Sequence, residues 1–206
     1  RRSERRPPAV PAALSVAPVL PVFIQRYPDI EVEVSISNRM VDMVEEGFDA
    51  GIRHGGTVPE DMIAQRLSPD IRWVVGGAPD YLERCGRPQH PQALAEHQLL
   101  LYTYATDPYE LTFQREDQTI KVPATPALES NDGYLLRAAA LQGQGILAQP
   151  TYVIHDDIVA GRLVPILSDW SLPRLEINLV YPSRRHLPAK TRVFIDFIVK
   201  EFQHLD

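Results

Sequence analysis

The chain has 206 residues, 44% of them hydrophobic and 23% charged, enough to bury a sizeable core in one large domain or two small ones. Its net charge is −6, although four arginines lie in the opening RRSERR; that sign excludes a nucleic-acid-binding surface, which needs a basic patch to displace counterions. A single cysteine, Cys85, excludes an internal disulfide framework, and no apolar run approaches the ~20 residues of a membrane span.

The opening RRSERRPPAVP is charge followed by proline and carries no strand pattern. It reads as a linker remnant, a tag scar or a solvated arm. The first residue is Arg1, not Met, which reads as a fragment or a processed product. From Ala12 the apolar residues Leu14, Val16, Val19, Leu20, Phe23 and Ile24 predict a helix up to Tyr27, bent or broken by Pro18 and Pro21. Ile30, Val32, Val34 and Ile36 then alternate with Glu31, Glu33, Ser35 and Ser37, the period-2 pattern of a strand. Ser37 or Asn38 can cap a following helix with Met40, Val41, Met43 and Val44 on its apolar side. Gly47 is its expected stop. FDAGIRHGG gives a short strand ending in Arg53 and His54.

Residues 62–67 and 71–75 read as strands, the second continuous and therefore buried. A short helix starts at Ala78–Pro79 and reaches Cys85, and QALAEH gives another. Residues 99–104 predict a further buried strand. Residues 111–115 and 119–122 predict an antiparallel hairpin around Glu116, Asp117 and Gln118. Ser130 or Asn131 caps a helix carrying Leu135, Leu136, Ala138, Ala139 and Leu141, ended by Gly143. Residues 146–149 form a strand, 150–159 a helix closed by Gly161, and 163–167 an extended segment. Leu175, Ile177, Leu179 and Tyr181 alternate as a strand. The last helix runs from Pro188 with Val193, Phe194, Phe197 and Ile198 toward a core. Strands alternating with helices give an α/β fold class with a largely parallel sheet. Residues 77–176 read as one sub-domain, and 1–76 with 177–206 as the other.

Chemical motifs are mostly negative. Gly143, Gly145 and Ala148 match the dinucleotide fingerprint GxGxxA, but here the glycines follow a helix and precede a strand, the reverse of the required order. No His or Cys pair has zinc spacing, and neither HExxH nor GxSxG occurs. No metal, no cofactor and no catalytic constellation is therefore expected. His155, Asp156 and Asp157 read as a solvated helix face, and Cys85 as a small apolar helix residue. Glu45 and Glu46 sit at a helix end and read as surface.

Binding features are stronger. In open α/β sheets ligands bind beyond the carboxyl ends of strands, where Ser37, Asn38, Arg53 and His54 fall. These polar ends equally serve as plain caps and turns. Ser130–Asn131 at a helix start offers free amides to an anion, whereas Asp132 in that first turn can occupy the same positive end itself. Tyr102 and Tyr104 end a buried strand, where a phenol either faces a ligand or packs under a loop.

Taken together, APVLPVFIQRYPDIEVEVSIS (17–37), VDMVEEGFDAGIRHG (41–55), APDYL (78–82), GRPQHPQALAEHQLL (86–100), SNDGYLLRAAALQGQGI (130–146), AGRLVPIL (160–167) and VYPSRRHLPAKTRVFIDFIVKEF (180–202) resemble the effector-binding domain of LysR-type transcriptional regulators. The resemblance implies a type 2 periplasmic-binding-protein fold, two α/β sub-domains joined by two crossover strands near 75–78 and 174–177. It implies a small effector, plausibly an organic acid, in the cleft between them. The implied ligand residues are Ser37, Asn38, Arg53, His54, Tyr102, Tyr104, Ser130, Asn131 and Gln149. It also implies a cytoplasmic homodimer or homotetramer that is not an enzyme and meets DNA only through a winged helix-turn-helix upstream of these residues. RSERRPPAVP departs from the family's usual first strand and polar loop. The alternative on the same fold is a periplasmic solute-binding protein of a transporter.

Overall fold

In the computed structural model the described residues are 19–35, 46–54, 61–68, 71–103, 110–174, 176–183 and 187–203. The chain divides into two compact units, residues 1–71 with 175–206 and residues 72–174. Both borders fall a few residues before the expected 76/77 and 176/177. The strand at 73–77 hydrogen-bonds into the sheet of the second unit and belongs with it.

Unit 1 contains α1 (Leu20–Arg26), β1 (Gly51–His54), β2 (Met62–Arg66), β10 (Ile177–Pro182) and α5 (Ala189–Gln203). Its three strands lie in the order β1-β10-β2, and both ladders are antiparallel. α5 buries Thr191, Ile195, Ile198 and Phe202, an i, i+4, i+7, i+11 stripe, together with Phe197. Of the expected core residues, Phe197 and Ile198 are buried, whereas Val193 and Phe194 are half-buried. Phe23 of α1 is fully buried, with ring centroids 5.1 Å from Phe194 and 5.2 Å from Phe197. That aromatic cluster is where α1 meets α5.

The strand expected from residue 30 differs. Ile30 to Ser35 join no ladder among the described residues, and Val34 is 57% exposed. Alternating side chains make a segment fit for a sheet, but a strand exists only when a neighbour takes its amides. Gly47 has the left-handed conformation of a helix stop, φ +77°; the helix expected before it falls outside the described residues.

Unit 2 runs through β3 (Trp73–Gly77), α2 (Pro79–Cys85), a 3-10 turn (Pro91–Glu96), β4 (Leu99–Tyr102), β5 (Glu110–Arg115), β6 (Gln118–Pro123), β7 (Pro126–Ser130), α3 (Gly133–Leu141), β8 (Ile146–Pro150), α4 (Thr151–Val159) and β9 (Val164–Ile166). Five strands form one sheet, β7-β4-β8-β3-β9. β4 is parallel to β7 and β8, but β3 is antiparallel to β8 and β9. Among the described residues this sheet is therefore mixed and the other ladders are antiparallel, so the fold is not largely parallel. A strand that enters from the other unit is not bound by the crossover connection that keeps successive strands parallel. β7 is an edge strand begun by proline, which removes a ladder donor where none is needed; its short half-exposed pattern hid it from the sequence reading. The β5–β6 turn is one residue tighter than expected, because Arg115 pairs with Gln118 and Glu116 takes φ +50°.

Alternation sends the sheet's side chains to two cores. Leu99, Leu101, Ile146 and Ala148 face Tyr81, Phe113, Val122 and Trp170. Leu100 and Leu147 face Leu136, Ala140 and Ile154 of α3 and α4. Gly143 at φ +67° completes a Schellman motif at the end of α3, with Gly143 N and Gln144 N donating to Ala140 O and Ala139 O. This glycine is a helix stop, as the order of elements around it requires. Gly145 answers a different constraint: a Cβ there would stand 2.4 Å from the Gln98 carbonyl oxygen, which accepts from Ile146 N at 2.8 Å. Gly145→Ala should therefore lower unfolding stability by about 1–3 kcal/mol in urea titration, the usual cost of forcing atoms into a packed site; a cost near zero would contradict the close approach.

Candidate functional site

The carboxyl ends of β4, β7 and β8 meet the starts of α3 and α4. Tyr102 is the Cα partner of Ser130, and Thr103 N donates to Ser130 O at 2.9 Å. The β4–β8 register pairs Leu100 with Leu147. Two residues further along each strand stand Tyr102 and Gln149, both on the α3–α4 face by alternation. On the other side Gln149 is the Cα partner of Val74.

Every residue of β8 is buried, and Gln149 is the one polar side chain in it, 1% exposed. Its amide nitrogen Nε2 has no hydrogen-bond partner. Its Oε1 lies 2.9 Å from where a Cβ on Gly133 would sit, so the glycine at the first position of α3 makes room for the amide head. Leaving such a donor unsatisfied costs about 1–3 kcal/mol, which an arriving acceptor restores.

The sequence predicts a cap at Ser130 or Asn131, but neither caps α3. The cap is Asp132, whose Oδ1 accepts from Tyr134 N at 2.8 Å and Leu135 N at 3.4 Å. Ser130 ends β7 instead, and its Oγ accepts from Asp132 N at 3.0 Å. Three cap-forming residues in a row gave a start within one or two positions, and the last of them wins because it directly precedes the helical dihedrals. The amides that made an anion site attractive are therefore taken by a carboxylate. α4 begins directly after β8, without a side-chain cap at Pro150; its first residue, Thr151, donates from N and Oγ1 to Arg72 O, each at 2.9 Å.

Tyr134 and Tyr152 join Tyr102 here, and neither was read from the sequence. Burial raises the Tyr152 phenol, with further contributions from Tyr102 and Tyr134, so the three phenols share one neighbourhood. Burial also raises Tyr102 and Tyr134, and the Asp132 carboxylate adds to both, while Arg137 opposes it at Tyr134. All three are neutral at physiological pH. The signal for Tyr152 was its place three residues past Gln149 at a strand–helix junction, too short for any periodicity.

Arg53 belongs to unit 1. It is half-buried on β1, a Cα partner of Asn178, whose other partner is Arg66. Asn178 Nδ2 donates to Glu176 Oε1 at 2.9 Å. His54 pairs with Ile177 in the same ladder. Ser37, Asn38 and Tyr104 lie outside the described residues.

Two helices frame the unit 2 wall, and a buried ion cluster ties them. Asp157 of α4 is fully buried; it accepts from Arg137 of α3 through Nε and through Nη2 at 2.9 Å, and from Arg162 Nε at 2.8 Å. Asp157 is thus no part of a solvated face, contrary to the reading of the His155–Asp156–Asp157 run: helix neighbours point different ways, and this one points inward. Cys85 is exposed at the end of α2, not an apolar packing residue. Among the described residues no group of three or more His, Cys, Asp or Glu could hold a metal ion, and no helix is long and apolar enough to cross a membrane.

Two α/β units visited in turn by one chain fit a fold of the type 2 periplasmic-binding-protein kind. The chain matches the family model of the LysR substrate binding domain over residues 8–203, and it belongs to that family as the effector-binding domain of a LysR-type regulator. An uncharacterized HTH-type transcriptional regulator of Escherichia coli K12, YcaN, is 34% identical over 194 residues, covering 92% of this chain and 62% of the relative. The E. coli K12 regulator PgrR is 30% identical over 181 residues, covering 87% of this chain and 60% of its own length. The chain thus spans about six-tenths of these curated relatives. Full-length AphB, the Vibrio cholerae virulence activator, superposes with a TM-score of 0.78 at 26% identity, covering 94% of this chain and 65% of AphB. The regulatory domain of CrgA from Neisseria meningitidis gives 0.75 at 28% identity, covering 95% and 100%. These matches favour the regulator over a transporter's solute carrier.

The ion cluster yields a pH prediction. Burial alone would raise the Asp157 carboxyl, but hydrogen bonds and charge from Arg137 and Arg162 outweigh it and hold the group below the usual carboxylate range. Its contribution is present above the unfolded pKa and disappears as pH falls through the depressed folded value. Asp157→Asn should cost about 2–3 kcal/mol at neutral pH, less than the 3–5 of a wholly buried pair because Arg162 is half exposed. Urea titrations from neutral pH into the acid range should show the gap to wild type closing with acidification; a constant gap would contradict this assignment.

Proposed function

We propose that this chain is the sensing half of a cytoplasmic bacterial transcription regulator, binding a small metabolite and relaying its presence to a helix-turn-helix outside these residues. In this reading it acts as a homodimer or homotetramer, performs no catalysis, and touches DNA only through that other domain. The observation that carries the reading is the buried, unpartnered Nε2 of Gln149, whose Oε1 faces Gly133, at the strand ends of unit 2. Buried polar groups without partners are rare in folded proteins, and each asks for a reason; a ligand acceptor is the reason a sensing domain supplies. Tyr102, Tyr134, Tyr152 and Ser130, on the same strand ends and helix starts, would offer aromatic faces and hydroxyl donors. The remaining family positions, Ser37, Asn38, Arg53, His54, Tyr104 and Asn131, complete the proposed set of contacts.

Ligand binding would shift a two-state equilibrium of the regulator by its differential affinity, and family-scale coupling needs only about 1–3 kcal/mol. The test is a thermal-shift screen of small metabolites on wild type and Gln149→Leu. A leucine removes an unpaired donor from an apolar strand, so the free variant should melt at the same temperature or higher. Its affinity for the metabolite that stabilises wild type should fall about tenfold or more, the worth of one good hydrogen bond to a desolvated group. Equal affinity in the two proteins would remove Gln149 from the binding machinery.

A further inference from the structure

The expectation of an organic acid rests on helix amides together with Arg53 or His54, and at the start of α3 those amides are occupied. Asp132 takes Tyr134 N and Leu135 N, and its own amide is satisfied by Ser130. A fixed negative charge therefore sits one residue from Gly133, whose backbone is packed against the Gln149 amide. The donor waiting at the wall, Gln149 Nε2, is neutral. The phenols of Tyr102, Tyr134 and Tyr152 are neutral too. The start of α4 has no side-chain cap, but a helix end carries only a partial positive charge, about half an elementary unit, against the full charge of Asp132. Beyond burial, the Asp132 carboxylate also pushes the phenols of Tyr102 and Tyr134 up.

We infer that the part of the effector docked on this wall is an uncharged hydrogen-bond acceptor carried on a ring, such as the carbonyl of an aromatic amide, ester or lactone, and that Asp132 selects against a carboxylate there. This rests on the proposed effector site and names the chemistry it takes. The acceptor oxygen receives Gln149 Nε2, and the ring stacks among the tyrosines. A carboxylate in the same place meets the like charge of Asp132, the residue before Gly133. At the effective permittivity of a protein surface this like-charge repulsion lowers affinity about tenfold or more.

The probes are benzamide and benzoate, the same ring bearing a neutral or a charged acceptor, titrated into the isotopically labelled 206-residue chain. The readout is the side-chain amide resonance of Gln149, assigned by its absence in Gln149→Leu. Benzamide should shift that resonance at about millimolar concentration, the range of fragment affinities, and benzoate should need about ten times more. Asp132→Ser keeps a good helix cap without the charge, and there benzoate should approach benzamide to within about twofold. Benzoate equal to or tighter than benzamide on wild type overturns the class inference while leaving the effector site standing. An unchanged gap in Asp132→Ser removes Asp132 as the selector. No shift of the Gln149 resonance by either probe overturns the inference and the site reading together.

Discussion

The burial of β8 on both faces is the constraint on which the rest of unit 2 depends. Ile146 and Ala148 fill one core; Leu147 fills the other. A strand in that position tolerates only apolar side chains, because water reaches none of it. Gln149 violates the rule at the last point where violation is useful, at the carboxyl end where α3 and α4 begin. Its alternation partner Leu147 shows which face it must take, and Gly133 shows that the neighbouring helix was shaped to admit it. A local rule broken at a strand end without internal compensation is the usual mark of a functional position.

The two helices that flank this amide cannot drift apart without exposing Asp157. Arg137 reaches across from α3, and Arg162 closes the other side just after the Schellman end of α4 at Gly161. Such a cluster is weak evidence for net stability, since taking the carboxylate out of water offsets much of the Coulomb gain. Its value is geometric: with one partner on each helix, it fixes the spacing of α3 and α4 and therefore the shape of the wall above them.

Much of this was legible in the residues. Gly143 and Gly161 announced helix ends, and the apolar runs at Leu99–Tyr102 and Ile146–Pro150 announced buried strands. Tyr102, Ser130 and Gln149, taken from family positions, lie near the carboxyl ends of three neighbouring strands. What the sequence did not show depends on partners distant in the chain. Residues 30–35 have the pattern of a strand but no described neighbour to pair with. β3 has a run of apolar residues that says nothing of its direction against β8. Asp157 looks like any surface acid until Arg137, twenty residues away, is brought beside it. Asp132 was seen as a competitor for the α3 amides, and the geometry decides in its favour.

The central claim is that the wall around Gln149 is where this regulator domain reads its effector. Amide hydrogen exchange of the chain with and without a saturating stabilising metabolite tests it most directly. The account predicts slower exchange concentrated at residues 102–103, 130–135 and 149–153, where the strand ends meet α3 and α4. Protection confined to other segments, with these unchanged, would contradict it.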